Sequence, residues 1–109
     1  MYAIRIHLDT PDGRPRPGGP VAAPAVRDGL ERGLRGPARL DHARIRVTAD
    51  AVDAVVFVTA GCLLEAEAAL RASCLELAEA GGTLEGWRLR HCEADSWLAL
   101  GLPELPTCR

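Results

Sequence analysis

Residues 42–59 read HARIRVTADAVDAVVFVT. Ile45, Val47 and Ala49 alternate with His42, Arg44, Arg46 and Thr48, the period of a half-buried strand with a strongly polar outer face. A tight connection near Asp50 to Asp53 then leads to AVVFVTA, residues 54–60. This second run is apolar on both sides, Val56 and Val58 on one and Val55, Phe57 and Thr59 on the other. Such a strand belongs inside a sheet, with a neighbour on each flank.

Working outward, Tyr2, Ile4, Ile6 and Leu8 alternate with Ala3, Arg5, His7 and Asp9, so the chain opens on another strand. Thr10 to Pro20 carries four prolines and three glycines, which forbids helix or strand and predicts a long, stiff loop. From about Val21 to Arg35, Ala23, Val26, Leu30 and Leu34 fall on one helical stripe, ended by Gly36 and Pro37. A second helix from about Cys62 to Ala80 aligns Leu63, Ala66, Leu70, Cys74 and Leu77, and Gly81 and Gly82 can supply a left-handed cap. On it Glu67 and Arg71 stand four apart, in the favourable order for an ion pair. A last alternating run, about Leu84 to Cys92, sets Trp87 and Leu89 against Arg88, Arg90 and Cys92.

The order strand, helix, strand, strand, helix, strand is the split βαβ, or ferredoxin-like, plan. The expected fold is α+β, a four-stranded antiparallel sheet in the order 4-1-3-2 with two helices on one face. Residues 1–95 are read as this domain, and 96–109 as an apolar tail. Trp97, Leu98, Leu100, Leu102 and Leu105 make that tail too apolar to stay uncovered, so it is expected to dock in cis or in trans.

At 109 residues a single domain buries roughly 65% of its unfolded surface and needs no staples. The formal net charge of −2 gives no global pull toward nucleic acid or acidic membranes. Every basic side chain apart from histidine is arginine, while Lys, Asn and Gln are absent; a GC-rich genome accounts for that. Met1 leads directly into a strand with no signal-type segment, and no apolar run is long enough to cross a bilayer, so the expected compartment is the cytoplasm. The four cysteines show no metal-binding spacing. Cys62 and Cys74, twelve helical steps or about 18 Å apart, cannot bridge. Cys92 with Cys108 is geometrically possible, but free thiols are expected in a reducing compartment.

With helices on one side, the other sheet face collects Arg5, His7, Arg44, Arg46, Phe57, Arg88 and Arg90, balanced by Asp9, Asp50 and Glu85. Such a face suits an anion, a carboxylate ligand or a nucleic-acid backbone, and equally a face left to solvent, where arginine stems cover apolar neighbours, or partly covered by the tail or a second subunit. Sheet-based RNA recognition needs stacking aromatics on the central strands. Only Phe57 and Tyr2 are there, and Tyr2 has the parity of the core. Acylphosphatases share the element order and use a first-loop arginine with an asparagine; Arg14 and Arg16 are present, but no asparagine is. Metal carriers of this plan bind through C-x-x-C in the first loop, where this chain has no cysteine. Cys62 stands at a helix start, where the dipole favours a thiolate, yet His7 and His42 point to the opposite sheet face. His91 and Cys92, as strand neighbours, point to opposite faces and form no metal motif.

The run LDTPDGRPRPGGP, residues 8–20, is loosely similar to the first loop of the ACT regulatory domain. That resemblance implies an amino-acid ligand contacted near Gly18 and Gly19. The same loop holds a P-x-x-P unit, Pro17 to Pro20, of the kind that docks partners. The expectation from these residues is a small non-catalytic interaction or accessory module, a homodimer or partner of another protein, with no cofactor, metal or catalytic residues. The rival readings are a regulatory domain holding an anionic ligand on the arginine face and a small enzyme of the dimeric α+β barrel type.

Overall fold

The computed structural model describes residues 1–16 and 19–94; the expected docking tail lies outside them. The elements are β1 (Tyr2–Asp9), α1 (Ala23–Gly33), β2 (Arg39–Val47), β3 (Ala51–Thr59), α2 (Leu63–Ala78) and β4 (Arg88–Ala94). The strands form one antiparallel sheet in the order β2-β3-β1-β4, with β3 and β1 internal. The fold is α+β. Among the described residues no helix is long and apolar enough to cross a membrane.

Period-two alternation sends Ile4, Ile6 and Leu8 of β1 and Val52, Ala54, Val56 and Val58 of β3 to one face, where all are buried. Val26 and Leu30 of α1 and Ala66, Leu70, Cys74 and Leu77 of α2 close over them in a single core. The odd-numbered residues of β1 and β3 are left to the other face. The β2–β3 connection is tighter than the alternation implied: Thr48 and Asp50 lie in a turn, where Thr48 Oγ1 donates to Asp50 Oδ1 at 2.9 Å and accepts from the Ala51 N–H at 3.0 Å.

Helix α1 is two residues shorter at each end than its apolar stripe suggested. Pro24 sits in its first turn, where a missing N–H costs nothing. Leu34, expected on the helical stripe, is instead the extended C-cap and still packs against the core. The two helices approach closely because α1 presents Gly29 and Gly33 to α2. A Cβ at Gly33 would stand 2.9 Å from the Ser73 Cα and one at Gly29 would overlap Leu77. At this contact the buried Ser73 hydroxyl donates to the Leu30 carbonyl at 2.7 Å, which satisfies a polar group inside the core.

Helix α2 ends at Glu79 in extended backbone, so Gly81 and Gly82 do not cap it in the left-handed form expected. Its last carbonyls are reached by the following turn, the Leu84 N–H donating to Leu77 O at 2.9 Å and the Gly86 N–H to Ala78 O at 3.0 Å. Gly81, at φ +84, belongs to that turn. The Glu67–Arg71 ion pair does not form. Arg71 donates to the Cys92 carbonyl at 3.1 Å and Glu67 accepts from the Ala94 N–H at 3.0 Å, so the pair fastens β4 to the helix.

Strand β4 also departs from its alternation. Leu84 and Trp87 lie in the turn before it, both buried. A bulge then intervenes, since His7 faces His91 while Leu8 faces Leu89, leaving Arg90 as the extra residue. Beyond the bulge the parity inverts: Cys92, expected beside Arg88 and Arg90, is buried against the helices, and His91 joins the open face. Replacing Gly33 by alanine should lower stability by about 1–3 kcal/mol, because the added methyl meets the buried, hydrogen-bonded Ser73 hydroxyl and the Ser73 Cα behind it. Urea unfolding tests this, and a change below about 0.5 kcal/mol would show that the helices can separate freely.

Candidate functional site

The sheet face away from the helices is built in cross-strand rows. Strand pairing aligns Arg44, Val55, Arg5 and Glu93 in one row and Arg46, Asp53, His7 and His91 in the next. His42, Phe57 and Ala3 form a row on one side, and Ala51, Asp9 and Arg88 a row on the other. All seven residues assigned to this face from the sequence are on it or, for Arg90, at the bulge that borders it. Phe57 is half-buried and meets the His42 ring with centroids 5.9 Å apart.

The charges are not spread evenly. His7 Nδ1 donates to Asp53 Oδ1 at 2.6 Å, and its Nε2 lies 3.6 Å from Asp9 Oδ2. Asp9 in turn accepts from Arg90 Nε at 3.0 Å. A continuous chain Asp53–His7–Asp9–Arg90 therefore crosses the middle of the sheet toward β4. On β2, Arg44 and Arg46 are exposed and have no ion pair among the described residues. Arg88 is likewise exposed. Thr59 donates to Asp41 at the β2 bulge, which ties the far end of that edge. Between Arg5, Arg44, Arg46 and Asp53 the face dips into an open concavity of about 390 Å³, floored by Val55.

Two of the three expected balancing acids are elsewhere: Asp50 lies in the β2–β3 turn and Glu85 before β4. The acids actually on the face are Asp9, Asp53 and Glu93, and Glu93 is reached only because the bulge reverses the outer half of β4. Asp53 was legible, since it shares parity with Val55 and Phe57; Glu93 and His91 were not, because nothing in WRLRHCEA marks the extra residue. Among the described residues no three His, Cys, Asp or Glu side chains are grouped to hold a metal ion. Gly18 lies outside the described residues, while the Gly19 N–H donates to the Arg16 carbonyl at 3.1 Å.

Among the described residues the cysteines do not supply a nucleophile. Cys62 is 1% exposed and disulfide-bonded, which corrects the expectation of a free thiol there and removes it as a reactive group. Cys74 and Cys92 are free and buried. Burial pushes the Cys74 thiol up to about 12, with Cys92 adding to the rise and Arg71 opposing it. Burial raises Cys92 to about 11, opposed by Arg71 and reinforced by Glu67 and Glu93. Such thiols are protonated packing groups.

Both values stand above the ordinary 9.0, so above that pH the unfolded chain loses protons that the folded one keeps. Stability is therefore fully present below about pH 9 and falls as pH rises toward 11–12, by about 1.4 kcal/mol per pH unit for each thiol. Urea unfolding of the wild type and of Cys74→Ala from pH 8 to 11 checks this. The wild-type slope should be steeper, and equal slopes would mean that the Cys74 thiol ionises in the native protein. No family model, curated protein or solved structure matches this chain.

Proposed function

We propose that this chain is a ferredoxin-like interaction module without catalytic machinery, and that it works as a homodimer joined through the open face of its sheet. The observation that supports this reading is the division of charge across that face. Arg44 and Arg46, without an ion pair among the described residues, occupy the β2 side, and the exposed Glu93 stands in the same row as Arg44 on the β4 side. A two-fold axis parallel to the strands, midway between β3 and β1, lays β2 of one copy over β4 of the other. The row is preserved, so Arg44 of each copy meets Glu93 of the second, and Val55 and Phe57 are covered at the centre. One layer of helices on one side of a sheet leaves the other side needing a cover of this kind. Arginine is the suited cation, because its planar fork engages a carboxylate in two bonds.

A second reading, a regulatory domain taking an anionic ligand, is favoured by the concavity between Arg5, Arg44 and Arg46. The dimeric barrel enzyme receives no comparable support: His7, Asp9, Asp53 and Arg90 at the middle of the face are engaged with one another, and Cys74 and Cys92 are buried, protonated thiols.

Sedimentation equilibrium at low and moderate salt separates these. A dimer that dissociates in Arg44→Glu and reassembles when Glu93→Arg is added to Arg44→Glu supports the two-fold arrangement. A wild-type chain that remains monomeric up to about 100 μM, a concentration at which even a weak interface of micromolar Kd is filled, overturns it. Citrate or phosphate binding lost in Arg44→Ala/Arg46→Ala by a monomer would then establish the ligand reading.

A further inference from the structure

A second, larger cleft lies at the end of the sheet where β1 runs out and β4 begins, away from the concavity on the open face. It measures about 670 Å³, within the range of small-molecule sites. One wall is the segment Thr10–Arg16 and the other is the turn Glu85–Trp87. The loop wall is fixed to its surroundings: the Thr10 N–H donates to Asp50 O at 3.0 Å and the Arg16 N–H to Ala49 O at 2.8 Å, so both ends are tied to the β2–β3 turn. Gly13, at φ +66, closes the reversal between them, its N–H donating to Thr10 O at 3.3 Å.

Three features of the lining point to a ligand. The exposed rings of Pro11 and Pro15, with the edge of the largely buried Trp87, provide apolar surface beside polar groups, the composition of a small-molecule site. Arg14 and Arg16 are exposed at the same cleft and carry no ion pair among the described residues. Thr10 is 8% exposed, and its hydroxyl is the one buried side-chain polar atom without a hydrogen-bond partner among the described residues. Native folds satisfy such groups through protein, water or ligand. Two acids also line the cleft: Glu85, whose carboxylate accepts from the Gly81 N–H at 3.0 Å and is held toward that turn, and Asp12, so the charges balance and the arginines are distinguished by guanidinium donors free among the described residues rather than by a net positive charge.

We propose that this cleft binds a small carboxylate whose apolar body lies against Trp87 and whose charge is taken by Arg14 and Arg16. The guanidinium fork matches a carboxylate in two parallel bonds, and a site tied down at both ends of its loop loses little freedom on binding. Rearrangement of the Thr10 hydroxyl toward the bound group completes its hydrogen bonding.

The test is a titration of the ¹⁵N-labelled full chain with 3-phenylpropionate and, separately, with 3-phenylpropylamine, followed by amide and indole N–H shifts. The Trp87 indole signal is assigned with Trp97→Phe. The carboxylate should shift the Trp87 indole and the amides of Thr10 and Arg16 with a Kd of about 1 mM, as suits a small probe, while the amine leaves them unmoved. Arg14→Ala/Arg16→Ala should weaken carboxylate binding at least about tenfold, consistent with the loss of a charge-assisted contact. Signals away from the cleft should be unchanged and so report an intact fold. Thr10→Val should weaken it less. No shift at about 10 mM carboxylate, equal binding of the amine, or unchanged binding by the double-arginine variant would each overturn the proposal.

Discussion

The pairing of β1 with β3 is the constraint on which the other features rest. Their antiparallel register runs unbroken from Tyr2 opposite Val58 to Asp9 opposite Ala51. Because side chains alternate across a strand, a slip of one residue would turn Ile4, Ile6 and Leu8 to solvent and Arg5 and His7 into the core. Burying a single unpaired arginine there would cost several kcal/mol, so the register is enforced from both faces at once. The same alternation that makes the core makes the polar face, and the hydrogen bond from His7 to Asp53 crosses this pair directly.

The helices depend on the sheet for their floor and on each other for their spacing. Glycine inside a helix is unfavourable by roughly 0.5–1 kcal/mol relative to alanine, and α1 carries two on the face toward α2. The close approach they permit offsets this by bringing Ser73 within reach of the Leu30 carbonyl and by removing the methyl groups of Leu77 from water. Helix α2 then governs β4. Arg71 and Glu67, which would otherwise pair on the helix surface for a few tenths of a kcal/mol, bond to backbone groups of Cys92 and Ala94. A backbone partner in a half-buried setting is the better competitor, because an unmet N–H or C=O there is costly.

The legibility of the chain follows the same physics. Where burial alone decides the period, as in β1, β3 and the apolar stripe of α2, residues could be placed on faces from the sequence. Element ends were less legible: Pro24 and the hydrogen-bonded turn at Thr48 each moved a boundary that apolar spacing does not record. The bulge at Arg90 was not legible, since an extra residue in a strand changes parity without changing composition. Its consequence is large for the open face, because it exchanges Cys92 for His91 and Glu93. Gly29 and Gly33 stood in the sequence at helical spacing, but a missing side chain leaves no mark in a pattern read from apolar residues.

The two candidate surfaces meet at the β1–β4 junction. Asp9 holds Arg90 on the open face, and the next residue, Thr10, turns into the end cleft. Trp87 lines that cleft, and the next residue, Arg88, returns to the open face opposite Asp9. Each strand end therefore contributes one residue to each surface through a single peptide unit. The register is anchored on one side by the unbroken β1–β3 ladder and loosened on the other by the bulge. The acid in the proposed dimer contact, Glu93, lies on β4 beyond the bulge, whereas Arg44 lies on the far side of the unbroken ladder.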